Sequence, residues 1–307
     1  MIGRFIFILA VVLLFISCSG KVYLFTSFRE PADKGLTMLY SKDGYKWMRL
    51  DTILLKPAIG NQKVMRDPSI VQGPDGIFHL VWTSSWKGDK GFGYSSSGDL
   101  IHWSEQKFIP VMEHEPTTVN VWAPELFYDE EAKQFIIIWA SCIPGRFERG
   151  SEEDSNNHRM YMTTTKDFQA ISDTKLFFDP GFSVIDAVIL KKNEKEYVLV
   201  YKDNTRPERN IKVAFSDNPY GPYKNSSKPF TDNFTEGPSI AKVKDDWLIY
   251  YDSYQKKTYE VMSTTDFKTF NAVNSKVIIP EGHKHGTIFM VKKKTVKKLL
   301  KFSNQRQ

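Results

Sequence analysis

The chain has 307 residues, of which 41% are apolar, enough to bury a large core in one all-β domain or in two smaller domains. The formal charge of +6 comes from segment 291–302 (VKKKTVKKLLKF), which holds six lysines and no acid, so the remainder is close to neutral. No basic stripe interleaved with aromatic residues runs through the body of the chain, which argues against a nucleic-acid partner. We expect the lysine-rich segment to be a solvated strand or tail.

Residues 1–20 are typical of a targeting segment. Arg4 precedes an apolar run at 5–17 that is short for a membrane span, and Cys18 follows it. This pattern resembles a bacterial lipoprotein signal, in which cleavage leaves a lipidated cysteine as the first mature residue; a plain secretory signal is the alternative. The sequence therefore predicts an exported protein, lipid-anchored through Cys18 in the periplasm or at the cell surface. The second cysteine, Cys142, is then unpaired, and we expect it to be a buried thiol.

Three kinds of segment recur in the same order along the rest of the chain. An apolar strand occurs five times, at 22–28, 78–86, 135–141, 197–203 and 247–253. A strand that ends in a polar turn and an aromatic residue also occurs five times, at 39–47, 94–103, 161–168, 213–223 and 261–267. A short strand with a polar or small start precedes the apolar strand, at 66–71 (RDPSIV), 123–128 (APELFY), 185–190 (IDAVIL), 236–241 (EGPSIA) and 285–290 (HGTIFM).

A period of about 50 to 65 residues with several short strands per unit is typical of a β-propeller blade. Five units predict an all-β, five-bladed β-propeller with almost no helix, formed by one domain at 21–307. The N-terminal strands lack an inner strand and the C-terminal inner strand lacks outer strands, so we expect both chain ends to form one blade. Such closure covers the open sheet edge.

The short strands should line the central channel, with their polar starts at its mouth. Aligning the repeats places Asp67, Asp186, Glu236 and His285 at equivalent positions around one axis. Taken singly, each is most simply a turn, strand-end or surface residue. Three converging carboxylates are instead typical of a site whose members hold their pKa values apart. Hydrolysis of a glycosidic bond needs such a set: one carboxylic acid for the leaving oxygen and one carboxylate for water.

The motifs resemble glycoside hydrolase family 43, five-bladed propeller enzymes that include α-L-arabinofuranosidases and β-xylosidases. The resemblance covers most of the chain after the signal, and it rests on RDPSI at 66–70, VWAPELFY at 121–128, VIDAVIL at 184–190, TEGPSI at 235–240 and HKHGTI at 283–288. It implies inversion of configuration, with Asp67 as general base, Glu236 as general acid and Asp186 as the residue that tunes the acid. We expect burial and the Asp186 charge to raise the pKa of Glu236. It also implies that His285 lies in the channel under the substrate, where a calcium ion is possible; no other cofactor is expected.

Other candidate substrate contacts are Glu125, placed one step off the register of Asp67, and the tryptophans Trp86 and Trp122. We expect Trp82 and Trp139 to be core residues. Two long polar loops, at 142–160 and 203–210, are predicted to wall the pocket, with Arg206 reaching substrate hydroxyls or a carboxylate.

Together these features predict a monomeric, exo-acting glycosidase with a carbohydrate substrate and a membrane contact only through its lipid. One alternative is a non-catalytic carbohydrate-binding propeller, although such a protein would usually lose Asp67 or Glu236. The other is a related propeller enzyme with different chemistry or specificity, such as a galactosidase, a fructan hydrolase or a phosphorylase. The sequence does not name the sugar.

Overall fold

A computed structural model describes residues 20–148 and 150–306. The targeting segment with Cys18 lies outside these residues. Among those described, no helix is long and apolar enough to cross a membrane.

Within residues 20–148 and 150–306, nineteen strands form five separate antiparallel sheets. Blade 1 consists of β4 (Arg66–Gln72), β5 (Phe78–Thr83), β6 (Gly91–Ser97) and β7 (Lys107–Pro110). Blade 2 consists of β8 (Trp122–Asp129), β9 (Gln134–Cys142), β10 (His158–Thr165) and β11 (Lys175–Phe178). Blade 3 has only β12 (Val184–Asn193), β13 (Glu196–Asp203) and β14 (Asn210–Ser216). Blade 4 consists of β15 (Thr235–Val243), β16 (Asp246–Ser253), β17 (Thr258–Thr264) and β18 (Asn271–Ala272).

Both chain ends form blade 5, as the repeat pattern predicts. Its strands are β1 (Lys21–Ser27), β2 (Leu36–Ser41), β3 (Trp47–Leu55) and, from the C-terminal side, β19 (Ile288–Lys292). β19 pairs antiparallel with β1, with Lys21 opposite Lys292 and Phe25 opposite Ile288. The five-bladed all-β propeller is thus confirmed.

The lysine-rich C-terminal segment is not a solvated strand or tail, contrary to the expectation from its charge. It forms the helix α1 (Lys293–Asn304), the longest of three short helices in the described part of the chain; the others are 3-10 turns at Asp154–Asn156 and Asn274–Lys276. Val296 and Leu299 are buried in the apolar cluster between blades 5 and 1. An apolar residue recurs every three to four positions along this segment, which is the helical period that the charge count conceals.

Five apolar clusters fill the spaces between neighbouring blades, one for each pair. A repeated turn closes the outer part of blades 1, 2 and 4. In the turn that begins at Ser97, the serine hydroxyl accepts a hydrogen bond of 2.8 Å from the Leu100 N–H. The Asp99 carboxylate accepts another of 2.8 Å from the His102 N–H. The same pairing occurs at Thr165–Asp167 and Thr264–Asp266, which explains the recurring polar turn before a buried side chain.

Candidate active site

The inner strands of blades 1 to 4 share a bulge at the channel mouth. Each ladder breaks once near the start of the strand, between Arg66 and Ser69, Trp122 and Glu125, Ile185 and Val188, and Glu236 and Ser239. One residue inside each break has positive φ: Asp67 (49°), Ala123 (47°), Asp186 (52°) and Gly237 (60°). Bulges re-aim side chains and are frequent beside active sites.

The bulge fixes the true alignment of the repeats. Asp67 and Asp186 occupy equivalent positions, but Glu236 precedes that position by one residue and is equivalent to Arg66. Glu125 is equivalent to Ser69, two residues beyond Asp67 rather than one. The equal placement of all four polar residues predicted from the repeats is therefore wrong in detail: blades 1 and 4 have breaks of the same size, and aligning their Pro-Ser-Ile strings puts Gly237, not Glu236, at the position of Asp67.

Asp67 is held as a carboxylate. Thr83 donates to its Oδ2 at 3.1 Å, and His285 Nδ1 lies 3.4 Å from its Oδ1. Burial raises the pKa of Asp67, but contact with the His285 imidazolium outweighs burial, with help from Arg66 and Thr83, so that its pKa is lowered. In turn burial lowers the pKa of His285, and the facing carboxylates, Asp67 foremost, overcome it and raise that pKa to about 9.

Glu236 is paired with a lysine that the sequence analysis did not single out. Lys202 of β13 donates to Glu236 Oε2 at 2.8 Å, its side chain is only 3% exposed, and its ammonium lies 5.1 Å from the ring centre of Tyr254. Burial raises the pKa of Glu236, but the charge and hydrogen bond of Lys202 overcome burial and lower it. The expected raised pKa of Glu236 is therefore wrong for the free protein, because Lys202 stabilises the carboxylate.

Asp186 lies beside this pair. Its Oδ2 accepts a hydrogen bond of 3.1 Å from the N–H of Gly237, the residue after Glu236. Burial, aided by the negative charges of Glu236 and Asp67, raises the pKa of Asp186 to about 6 against the opposing charges of His285 and Lys202. Of the three carboxylates, Asp186 thus holds a proton to the highest pH.

Further polar residues come from the second strands of blades 1, 3 and 4. Thr83, Lys202 and Asp252 lie directly opposite Arg66, Ile185 and Glu236 in their ladders. Asp252 is paired with Lys284, which precedes His285. Each of the three follows a fully buried aromatic residue, Trp82, Tyr201 or Tyr251. That recurring aromatic–polar pair at the end of an apolar strand is the sequence signal that could have identified them.

A cavity of about 560 Å³ opens next to Asp252. It is lined by segments that were not predicted to wall the pocket, 254–259 and 279–284. The loops at 142–160 and 203–210 contact each other, and their role as pocket walls stays a prediction. Arg206 donates its backbone N–H to Glu152 at 2.6 Å, and its guanidinium lies 3.5 Å from Glu153. Arg206 is thus occupied by acidic neighbours from the other loop.

The two candidate tryptophans lie together. The rings of Trp86 and Trp122 are 4.5 Å apart at 37°, and the Trp122 indole N–H donates to the Trp86 carbonyl at 2.7 Å. Trp86 is 46% exposed, and the Arg66 guanidinium lies 4.8 Å from its ring centre. Since Trp122 occupies the bulge position equivalent to Arg66 and Glu236, this aromatic pair belongs to the mouth. Trp82 and Trp139 are fully buried, as predicted.

Glu125 lies deeper, in a cavity of about 200 Å³ along the channel. Burial raises its pKa to about 7, although the Ser69 and Thr287 hydroxyls and the His285 charge act in the opposite direction. Thr287 Oγ1 lies 3.2 Å from the Glu125 carboxylate. Glu125 thus lies in the channel, and its contact with substrate stays a prediction.

A calcium ion at this depth stays a prediction. Among residues 20–148 and 150–306, no three His, Cys, Asp or Glu side chains are grouped so as to hold a metal ion. Calcium takes about six to eight oxygen ligands. Glu125 and Thr287 would supply oxygens near His285, so most of the remaining ligands would have to be backbone carbonyls and water.

Comparisons with known proteins agree with this architecture. The sequence model of a family described as a probable glycosyl hydrolase domain, related to glycoside hydrolase family 43, matches residues 20–297. No curated protein shows significant sequence similarity to the chain.

Solved structures share the fold at low identity. An endo-1,4-β-xylanase from Bacteroides thetaiotaomicron is 15% identical with a TM-score of 0.61, covering 85% of this chain and 94% of its own. An α-L-arabinanase from Cellvibrio cellulosa, complexed with arabinohexaose, is 14% identical with a TM-score of 0.61, covering 85% and 95%. An α-L-arabinofuranosidase from Lactobacillus brevis is 17% identical with a TM-score of 0.52, covering 68% and 72%. The family match, extending over nearly the whole described propeller, shows that this chain belongs to the family 43-related glycosyl hydrolases.

Proposed function

We propose that the protein hydrolyses O-glycosidic bonds of plant-type polysaccharides or oligosaccharides with inversion, with Asp67 as general base and Glu236 as general acid. The observation that carries this assignment is the graded exposure of the three carboxylates. The Glu236 side chain is 38% exposed and that of Asp67 16%, whereas Asp186 is buried beside them. Glu236, and to a smaller extent Asp67, are therefore more accessible to substrate than Asp186.

Asp67 is suited to accept a proton from water. It is ionised at neutral pH, and its contacts with Thr83 and His285 fix its orientation. An inverting enzyme needs this base about 6.5–9.5 Å from the acid, so that water fits on the far side of the sugar.

Glu236 must carry a proton when the glycosidic oxygen leaves. In the free protein Lys202 opposes this, so productive binding has to weaken the contact between Lys202 and Glu236. Once it is weakened, burial and the charge of Asp67 both favour the protonated form. Asp186 would then act as a positioning residue, since it fixes the backbone next to Glu236 through the Gly237 N–H.

For the substrate we infer an exo-acting α-L-arabinofuranosidase or β-xylosidase specificity. This inference rests on the motif resemblance and on the structural neighbours, which are named as an α-L-arabinofuranosidase, an endo-1,4-β-xylanase and an α-L-arabinanase. The exposed pair of Trp86 and Trp122 would provide a stacking surface for a sugar ring. The binding-protein alternative is weakened because Asp67 and Glu236 are both retained.

The test begins with a screen of nitrophenyl α-L-arabinofuranoside, β-D-xyloside and β-D-galactoside, with the anomer of the first product followed by NMR. On the best substrate, Asp67→Asn should lower kcat/KM by about 10²–10⁴-fold whatever the leaving group. Glu236→Gln should lower it most for natural oligosaccharides and least for dinitrophenyl glycosides, whose leaving group needs little protonation. Equal losses for Glu236→Gln on both substrates would remove the acid assignment. Saccharide binding without turnover in the wild-type protein would favour the binding-protein alternative.

We also propose that the protein is exported and lipid-anchored through Cys18, and that it functions as a monomer. The arginine, the apolar run and the cysteine of the first 18 residues support export and the lipid anchor.

A further inference from the structure

We infer that the lysines of the N-terminal half of α1, together with Lys21, dock on an anionic lipid surface at the end of the propeller opposite the catalytic mouth. This interaction is separate from hydrolysis and does not depend on the proposed substrate.

The chain topology places the N-terminus of this helix away from the mouth, whereas Arg306, after its C-terminus, lies beside Arg29 and Lys34. His285 lies at the mouth, β19 then runs down the channel, and α1 begins where β19 ends. Antiparallel pairing puts Lys21, at the start of β1, opposite Lys292 at the far end of β19. The Lys293 N–H donates to the Gly20 carbonyl at 3.0 Å. The chain that carries residues 1–19 therefore enters the propeller beside the N-terminus of α1, at the end opposite the mouth.

This corner of the molecule has an excess of positive charge, with Asp99 lining the same groove as four of the lysines. Seven lysines are exposed there, and in the described part of the chain none of them is in an ion pair: Lys21, Lys292, Lys293, Lys294, Lys297, Lys298 and Lys301. The opposite side of the helix is anchored in the core by Val296 and Leu299. The lysines thus point outward from a fixed base.

Helix stability does not account for this arrangement. The positive end of a helix dipole lies at its N-terminus, where acidic residues stabilise and lysines destabilise. Here the N-cap is Lys292 and the first turn carries Lys293 and Lys294 with no acid. An external anion would make these charges favourable.

An anionic membrane is the binding partner that fits both the positive charge of this surface and its location next to the N-terminal segment. The preceding segment contains an apolar run and Cys18 only a few residues before Gly20. Clusters of lysine next to a membrane attachment are attracted to anionic lipid headgroups, within about one Debye length. The hairpin turns of other blades at this end offer no comparable surface, since residues such as Glu130, Glu131 and Lys133 carry both signs.

The test uses the purified full-length protein incorporated into vesicles of phosphatidylcholine, with or without phosphatidylglycerol. A water-soluble amine reagent labels exposed lysines, and mass spectrometry measures the rate at each site. We expect labelling of Lys297 and Lys298 to slow about five-fold or more when phosphatidylglycerol is present, and to recover at high salt. Lys257, beside the cavity at the mouth, should label equally in both vesicles.

A matched pair of variants separates this face from net charge. K294Q/K297Q/K298Q should abolish the lipid-dependent protection of Lys292 and Lys293, whereas K133Q/K195Q/K244Q, which removes the same charge from other turns at the same end, should preserve it. Equal labelling in both vesicle types would overturn the proposal. The proposal would also be overturned if a soluble acidic polysaccharide, added to the protein in detergent, slowed the labelling of these lysines while anionic lipid had no effect. That result would assign the face to a polysaccharide.

Discussion

Lys202 and Glu236 form an ion pair, 2.8 Å from Nζ to Oε2, in which the lysine is buried and the glutamate, the proposed general acid, is partly exposed. A lysine in this position keeps Glu236 charged in the free protein. Protonation of Glu236 therefore depends on whether bound substrate weakens its contact with Lys202.

Lys202→Met should move the alkaline limb of the kcat/KM profile to higher pH. Lys202 lowers the pKa of Glu236, so without it burial and the Asp67 charge raise that pKa, and the acid stays protonated further into the alkaline range. The limb of kcat should move less, because kcat reports the bound complex, in which the contact is already weakened. Lys212→Met removes a lysine paired with Asp203 at 2.6 Å and should leave both limbs in place. An unmoved kcat/KM limb in Lys202→Met would contradict the pairing argument.

Asp186→Asn should stabilise the fold at alkaline pH while it lowers activity. The folded-state pKa of Asp186 is about 6, above the 3.8 of a free aspartate. Its protonated form therefore stabilises the native state below the unfolded pKa, and that contribution is lost as pH rises through about 6. The gain of the variant over wild type should grow by up to about 3 kcal/mol between about pH 4 and pH 8. Urea unfolding at both pH values measures it, and a gain that shrinks with pH would refute the assignment.

Gly237→Ala should lower activity by displacing the side chain of His285. Gly237 has φ of 60°, and an added Cβ would lie 2.8 Å from the Cβ and Cγ of His285. Gly181 has φ of 86° with open space around its Cβ position, so Gly181→Ala reports the backbone strain alone, about 1 kcal/mol. We expect both variants to lose stability and only Gly237→Ala to lose most of kcat. Normal turnover in Gly237→Ala would show that the position of His285 is not critical.

Trp86→Ala should raise KM about ten-fold with little change in kcat, because the ring is exposed at the mouth and would contribute uniform binding. Trp86→Phe keeps an aromatic face and should recover most of the affinity. Kinetics on the best aryl glycoside and on an oligosaccharide would measure both. A fall in kcat at unchanged KM would argue that Trp86 supports the catalytic groups instead of the sugar.

Cys18→Ala should release the protein from membranes, since lipidation requires the thiol. Fractionation of cells that produce each form, followed by immunoblotting, measures the change. Cys142→Ala is the control, because that thiol is buried and its pKa is raised to about 11 by burial. Continued membrane partitioning of Cys18→Ala would disprove the lipid anchor.

The sequence by itself determined the blade count, the closure by both chain ends and the two strings that carry Asp67 and Glu236. These features are local and periodic: alternating apolar strands, repeated turns and short motifs recur at blade spacing, so they are visible without knowing which strands meet.

The tertiary structure alone decided the register of the inner strands and the partners of the carboxylates. A bulge near the start of the inner strands of blades 1 and 4 sets the direction of the side chains around Asp67 and Glu236, and no apolar pattern reveals a bulge. Lys202 lies in what reads as an apolar strand, and its charge is tolerated there only because the neighbouring blade supplies Glu236. The pKa values follow from such contacts between blades. The surroundings of Arg206 were likewise decided by the fold, because the loops at 142–160 and 203–210, which are distant in sequence, contact each other.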